Sequence, residues 1–162
     1  MTFNIQPLDY HNQVHASALI ELLDAYSRDP MGGGQPLDKF ARDNLVAVLG
    51  ARATAFGVIA FLDKTPAGLI NCFEGFSTFA CKPLANIHDV IVAPEFRGKG
   101  LGLSMLQKVE HLARERGCIK LTLEVLEGNP AAQGLYRKFG FAGYRLVEEA
   151  GSALFWQKYL EE

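Results

Sequence analysis

Three glycines and two cations occupy the six positions RGKGLG, from Arg97 to Gly102. The stretch follows a short apolar segment and precedes a helical pattern. The first turn of a helix presents free N–H groups with a partial positive charge, and glycine lets a ligand approach the backbone closely. A pyrophosphate suits such a turn. We therefore predict a phosphate-binding turn here, the alternative being a tight turn that needs glycine for its geometry alone.

The spacing of these glycines narrows the choice of phosphate ligand. A Walker A loop requires G-x-x-x-x-G-K followed by Ser or Thr, which this stretch does not supply. The dinucleotide fingerprint requires G-x-G-x-x-G, whereas Gly98, Gly100 and Gly102 give G-x-G-x-G. A nucleotide-dependent oxidoreductase is therefore a weaker alternative.

Composition sets the class of protein. The 162 residues are 49% hydrophobic and 21% charged, which is typical of a globular protein, and we expect one domain over residues 1–162. The net charge of -2 argues against a nucleic-acid partner. We expect no membrane span, because no apolar run reaches about 18 residues, and a cytoplasmic location, because the N-terminus lacks a signal-peptide pattern. The three cysteines are widely spaced, so we expect no disulfide and no metal site.

Periodicity predicts the elements that must position the turn. The expected order is a strand, two helices, three strands, a long helix, a strand, a short helix and two closing strands. The predicted segments are residues 2–8, 14–29, 37–49, 54–62, 69–79, 87–94, 100–116, 119–126, 130–140, 144–150 and 153–160. These elements indicate an α/β fold with a mixed sheet and helices packed on it.

Two motifs in this order resemble the GNAT family of N-acetyltransferases. VIVAPEFRGKGLG contains the family's [QR]-x-x-G-x-[GA] motif, and LTLEVLEGNPAAQGLYRKFGF its second motif. The matching positions are Arg97, Gly100 and Gly102, then Asn129, Ala132, Leu135, Tyr136, Gly140 and Phe141. The resemblance implies an acyl-CoA N-acyltransferase fold: a central, mostly antiparallel sheet, two splayed parallel strands and about four helices.

The resemblance also implies acetyl-CoA as the co-substrate, held mainly by backbone groups. Residues 90–92 would pair with the pantetheine arm, and N–H groups of the glycine turn would hold the pyrophosphate. The implied binding residues are Val90, Ile91, Val92, Arg97, Gly98, Lys99, Gly100, Leu101, Gly102, Leu103, Asn129, Ala132 and Tyr136. Asn129 has an equally good alternative role as the cap of the helix that starts at Pro130.

The implied chemistry is direct attack of an amine on the thioester, with two proton transfers. Tyr136 would act as general acid for the CoA thiolate, since a phenol has a pKa of about 10. A general base would deprotonate the amine, and Glu74, His88, Asp89 and Glu124 are the candidates. On a regular strand His88 and Asp89 point to opposite faces, so one of the two should face the site.

A small-molecule primary amine is the expected acceptor. Asp24, Tyr26 and Asp29, in the segment between the first two helices, and Glu74 are the expected substrate-binding residues, since recognition often resides in loops. The layout is similar to the polyamine and diamine acetyltransferase branch, which shows a Glu-Asp pair where this chain has His88–Asp89. An amino acid, an amino-bearing antibiotic or a protein amine stays open, as does a catalytically silent CoA-binding sensor. The apolar closing strands predict a homodimer.

Overall fold

The computed structural model describes residues 1–160 and contains two compact units. The first is Met1–Leu123 and the second is Glu124–Glu162.

The first unit is built on a five-stranded sheet in the order β1-β2-β3-β4-β5. The first four strands pair antiparallel with their neighbours, and β5 pairs parallel with β4. The strands are β1 (Asn4–Pro7), β2 (Ala55–Leu62), β3 (Thr65–Ser77), β4 (Lys82–Val92) and β5 (Leu121–Leu123). The expected mostly antiparallel sheet with one parallel pair is confirmed.

Residues 1–160 form four α-helices, as predicted, and side-chain caps explain where three of them begin. They are α1 (Gln13–Arg28), α2 (Lys39–Gly50), α3 (Leu101–Glu115) and, in the second unit, α4 (Pro130–Phe139). Asn12 accepts hydrogen bonds from the N–H groups of Val14 and His15, and Asp38 accepts one from Phe40. Such caps satisfy N–H groups that the first helical turn leaves without partners.

Two helices pack on the sheet of the first unit, α1 through its leucines and α3 through a close approach to a glycine. Leu19 and Leu22 of α1 pack with Leu69 and Ile91 of the sheet. The other contact is made by α3, whose residue Met105 lies against Gly68. A Cβ at Gly68 would lie 2.7 Å from the Met105 Cε and 2.9 Å from the Ile91 carbonyl oxygen, so only glycine permits this close approach.

Five predicted elements differ from the structure, the first being β3, which begins at Thr65, four residues before its predicted segment. β4 begins at Lys82, five residues before the predicted segment. β5 ends at Leu123, because only three residue pairs join it to β4. The two closing strands were predicted wrongly. Residues 144–160 contain one isolated bridge, between Arg145 and Ser152, and a short 3-10 helix, Glu148–Ala150. Their apolar residues gave a strand pattern, but in the structure these side chains are exposed.

A β-bulge interrupts the pairing of β3 with β4. Asn71 pairs with Asp89, but the next residue, Cys72, pairs with Ile87, which leaves His88 as the extra residue of β4. A bulge bends its strand and re-aims the side chains beside it. The strict alternation that the sequence analysis assumed for His88 and Asp89 therefore does not hold at this point.

Candidate functional site

The glycine turn has the geometry of an open helix N-terminus. Gly98 and Gly100 have φ values of +74° and +82°, a left-handed conformation that favours glycine. Gly100 is the N-cap of α3 and supplies no side-chain hydrogen bond, so no cap side chain covers the first-turn N–H groups, which include those of Leu101, Gly102 and Leu103. These groups fit the phosphates of a nucleotide-like ligand.

Arg97 connects this turn to two other parts of the first unit. Its Nε donates to the Val92 carbonyl oxygen at 3.1 Å, and its Nη2 lies 3.4 Å from Asp29 Oδ2. Asp29 Oδ1 also accepts from the Met31 N–H at 2.9 Å. That hydrogen bond, followed by the contact with Arg97, lowers the pKa of Asp29 below its usual value. The loop after α1 is thus tied to the glycine turn.

The edge of β4 near this turn has backbone groups directed away from β3. The pairing of β4 with β5 ends at Ile87. Beyond that point, Ala93 N–H donates to Ala67 on the β3 side, and in an antiparallel ladder alternate residues face the partner strand. Val90 and Val92 therefore direct their N–H and carbonyl groups away from β3, whereas Ile91 packs its side chain into the core.

Asp89 is one of two candidate bases that lie half-buried in this unit, the other being Glu74. Its Oδ2 accepts a hydrogen bond from the Asn71 Nδ2 at 3.0 Å. His88, by contrast, is exposed, with its ring edge-on to Phe73 at a centroid distance of 5.4 Å. Asp89 therefore combines partial burial with a fixed orientation, and both suit a group that exchanges a proton with a bound amine.

Asn71 is a site residue that the sequence analysis missed. The residue is only 3% exposed, and its Oδ1 is buried with no hydrogen-bond partner among the described residues. Leaving such an oxygen unpaired costs about 1–3 kcal/mol. The sequence offered one weak signal, a polar residue in the middle of the apolar strand LINCF.

Glu74 lies at a different point of the sheet. Its Oε2 accepts from Arg116 Nη1 at 3.2 Å, and the same guanidinium donates to the Ala53 carbonyl and stacks 4.4 Å from the Phe56 ring centroid. Glu74 is three residues beyond Asn71 on β3, a distance of about 10 Å along the strand. Its carboxylate is thus engaged away from Asp89.

Asp24 and Tyr26 lie within α1 and not in the segment between the first two helices, where they were expected. Asp24 accepts from Arg28 and from the Leu37 N–H, both at 2.9 Å, and lies 3.4 Å from Arg42. Its hydrogen bond to Arg28 is the main cause that lowers its pKa. Asp24 therefore serves to join α1 to the start of α2.

Tyr26 lies nearer to the candidate base. Its hydroxyl donates to the Met31 carbonyl at 3.4 Å. Burial raises the pKa of Tyr26, and the charges of Asp89 and then Asp29 raise it further. One neutral phenol and two carboxylates thus share this region of the first unit.

A buried thiol lies in the same part of the sheet. Burial raises the pKa of Cys72 to about 12, and the charge of Asp89 acts in the same direction. A thiol with so high a pKa is not a nucleophile at neutral pH. Cys72 is therefore not a candidate nucleophile.

The second unit carries the other predicted site residues. Tyr136, on α4, is buried, with its ring edge-on to Phe141 at a centroid distance of 5.9 Å. Asn129 is the N-cap of α4, and its Oδ1 accepts from the Ala132 N–H at 3.1 Å. The side-chain oxygen of Asn129 thus performs the capping role that was considered as its alternative.

Two further findings concern the described residues. Among residues 1–160, no helix is both long and apolar enough to cross a bilayer. Within the same range, no three His, Cys, Asp or Glu side chains come together in a group that could hold a metal ion.

Comparison with known sequences identifies the family. Residues 16–141 match the acetyltransferase (GNAT) family. The chain is 35% identical over 80 residues to a thialysine N-epsilon-acetyltransferase of Caenorhabditis elegans, a match that covers 49% of each chain. It is 41% identical over 70 residues to a streptothricin acetyltransferase of Streptomyces lavendulae, covering 43% of this chain and 37% of that one. The chain thus spans half or less of the length of these curated relatives.

Solved structures share the fold over nearly the whole chain. An aminoglycoside acetyltransferase from an uncultured soil metagenomic sample, in complex with trehalose, superposes with a TM-score of 0.77 at 18% identity, covering 98% of this chain and 97% of that one. A probable acetyltransferase gives a TM-score of 0.80 at 20% identity with full coverage of both chains. At such identities the likeness concerns the fold.

Proposed function

This chain belongs to the acetyltransferase (GNAT) family, and we propose that it transfers the acetyl group of acetyl-CoA to a primary amine of a small molecule. The observation that carries the proposal is the open turn at the start of α3, with two left-handed glycines and no capping side chain. That turn is joined to β4 by a short 3-10 helix, Pro94–Phe96, and the half-buried Asp89 lies on that strand.

The residues of the first unit fit acetyl-CoA, which supplies an activated thioester when bound. The N–H groups from Gly98 to Leu103 would hold its phosphates, with Arg97 and Lys99 adding positive charge. The backbone groups of Val90 and the N–H group of Val92, which point away from β3, would bind the pantetheine arm, as an added strand does. The Val92 carbonyl already accepts from Arg97. One of these N–H groups would stabilise the thioester oxygen as negative charge develops on it.

Asp89 is our proposed general base. An alkyl ammonium has a pKa of about 10 and must lose a proton before it attacks. In the proposed reaction that proton moves to the Asp89 carboxylate, the amine nitrogen forms a bond to the thioester carbon, and the carbon–sulfur bond breaks. Asp89 is preferred to Glu74 because Glu74 is ion-paired with Arg116, and to His88 because His88 is exposed.

Tyr136 is our proposed general acid for the departing thiolate. Support for this role comes from the family's second motif, in which Tyr136 occupies the tyrosine position, and from its burial on α4. A phenol with a pKa of about 10 can donate a proton to a thiolate at neutral pH.

A cationic small molecule is our proposed acceptor, with the reaction in the cytoplasm. Asp89 and Tyr26 give this part of the first unit negative charge and a hydrogen-bonding group, which suit an ammonium substrate. Asp29 contributes less, because it is ion-paired with Arg97. The named activities of the relatives, on thialysine and on streptothricin, concern amines of this kind. Asp24 contributes indirectly, because its carboxylate is occupied by Arg28 and Arg42.

The proposal is tested by following free-thiol release from acetyl-CoA. The amine panel contains thialysine and other lysine analogues, polyamines, aminoglycosides, streptothricin and short peptides. Thiol release with a small cationic amine supports the proposal, whereas release with peptides alone would assign a protein substrate. No release with any amine, but a raised melting temperature with acetyl-CoA, would indicate a binding protein. A ligand at about 100 times its Kd raises the free energy of unfolding by about 2.7 kcal/mol. An unchanged melting temperature in acetyl-CoA would therefore contradict acetyl-CoA binding.

A further inference from the structure

We propose that Asn71 is a positioning residue that holds the Asp89 carboxylate in the orientation needed to take a proton from the acceptor amine. This inference rests on the proposed function and adds to it a residue on β3. Asn71 acts through Asp89 and touches neither substrate.

The first support is the geometry of the pair. Asn71 and Asp89 are direct partners in the β3–β4 ladder, and the Nδ2–Oδ2 distance is 3.0 Å. An ionised carboxylate can only accept hydrogen bonds, so the NH₂ group of the amide must be the side that faces it. This bond occupies one carboxylate oxygen and leaves the other for a ligand.

The second support is the unsatisfied oxygen at the other end of the same amide. With its NH₂ group directed to Asp89, Asn71 leaves Oδ1 buried without a hydrogen-bond partner among the described residues. A leucine has nearly the same shape and would remove that unpaired oxygen. Leucine would also remove the hydrogen bond to Asp89, so that bond is what the amide supplies at this position in return for one unpaired oxygen.

The third support is the β-bulge at the same residue pair. The register between β3 and β4 shifts directly after Asn71, where His88 is the extra residue of β4. At a bulge the ladder is locally disrupted and the direction of a side chain is set less firmly by the strand. A side-chain hydrogen bond from the neighbouring strand then fixes the carboxylate where the backbone does not.

The surroundings of Asp89 agree with this role. Tyr26 of α1 and Cys72 of β3 are the titratable groups whose pKa values its charge raises, and Asp29 adds a second negative charge near Tyr26. Both the phenol and the thiol stay neutral at pH 7, the thiol with a pKa of about 12. Asn71 thus supplies a hydrogen bond to the carboxylate without a charge that would compete with the ammonium for it.

The experiment combines Asn71→Leu and Asp89→Asn, singly and together, with thiol release and thermal unfolding measured on each protein. We expect Asn71→Leu to lower kcat at least about 10-fold while the KM for acetyl-CoA changes by less than about two-fold. The melting temperature should not fall. In the Asp89→Asn background, Asn71→Leu should have no further effect on kcat, because the group that it positions is gone.

Matched variants separate the possible outcomes. Asn44→Leu removes an amide on α2 that donates to the Phe40 carbonyl, and it should leave kcat unchanged. A normal kcat for Asn71→Leu, or an equal loss of kcat in the Asp89→Asn background, would overturn the inference. In either case, turnover by the wild-type protein would still support the proposed function. Absence of wild-type turnover would overturn both. If Asn71→Leu does not fold, Asn71→Ser is measured instead, and failure of both to fold would assign Asn71 a purely structural role.

Discussion

At the scale of single residues, the two carboxylates on neighbouring strands differ in what already binds them. Asp89 is held by a neutral amide, whereas Glu74 is held by a guanidinium. An ammonium ligand can approach the first without displacing a cation, but must compete with Arg116 for the second. Because of this difference, substitutions of Asp89 and Glu74 should have different effects on kcat, and this tests which of them is the base.

Asp89→Asn should lower kcat by at least about 100-fold, because general bases contribute about 10²- to 10⁴-fold. The substitution preserves the shape of the side chain but removes the proton acceptor. Glu74→Gln is the matched control and should change kcat by less than about three-fold. Steady-state thiol release with the best amine of the panel measures both, and the reverse order of effects would show that Glu74 is the base.

Tyr136→Phe tests the proposed general acid. The substitution keeps the ring that packs against Phe141 and removes only the hydroxyl. We expect kcat to fall by about 10²-fold or more with little loss of acetyl-CoA affinity, measured by calorimetric titration. Tyr144→Phe, an exposed tyrosine of the same unit, is the control. Unchanged turnover of Tyr136→Phe would rule out the acid role.

At the scale of elements, α3 has a left-handed glycine at each end, and this allows the glycine turn to be tested with an internal control. Gly100 has a φ of +82° and Gly117 a φ of +75°, and a Cβ added at either would meet no heavy atom within 4 Å. Alanine at either position should therefore destabilise the protein by about 1–2 kcal/mol through backbone strain alone. Only Gly100→Ala should also weaken acetyl-CoA binding.

Thermal unfolding and calorimetric titration measure the two effects separately. If Gly117→Ala weakened binding as much as Gly100→Ala, the loss would follow from general destabilisation. If neither variant weakened binding, the turn at Gly100 would not hold the phosphates.

Sequence periodicity predicted most of these elements because burial imposes it directly. The apolar faces of α1 and α3 are consequences of packing on one sheet, and so are the continuous apolar runs of β2 and β3, whose residues are buried one after another. The bulge at His88 could not be predicted in this way, since it depends on the register between two strands and not on either strand alone. For the same reason Asn71 was missed: its role arises from the partner that lies opposite it in the ladder.

At the scale of the whole molecule, the proposed single domain can be tested through cooperativity. The second unit is short, running from Glu124 to Glu162, and units below about 40 residues rarely fold alone without a disulfide or a metal. We therefore expect one thermal transition, with equal calorimetric and van't Hoff enthalpies. Two separated transitions in differential scanning calorimetry would show two independent domains.

The end of the chain gives the last prediction, a homodimer. Leu154, Phe155 and Trp156 are 70–83% exposed, and adjacent exposed apolar side chains often mark a surface that binds another protein. Sedimentation at micromolar concentration should show a species of about twice the 17.8 kDa of the chain. Replacing Phe155 and Trp156 together by serine should convert the dimer to a monomer. The control is Phe79→Ser, at a phenylalanine that is 98% exposed in the first unit, and it should leave the dimer intact. A wild-type protein that sediments only as a monomer would contradict the prediction. An unchanged dimer in the double variant would place the interface elsewhere.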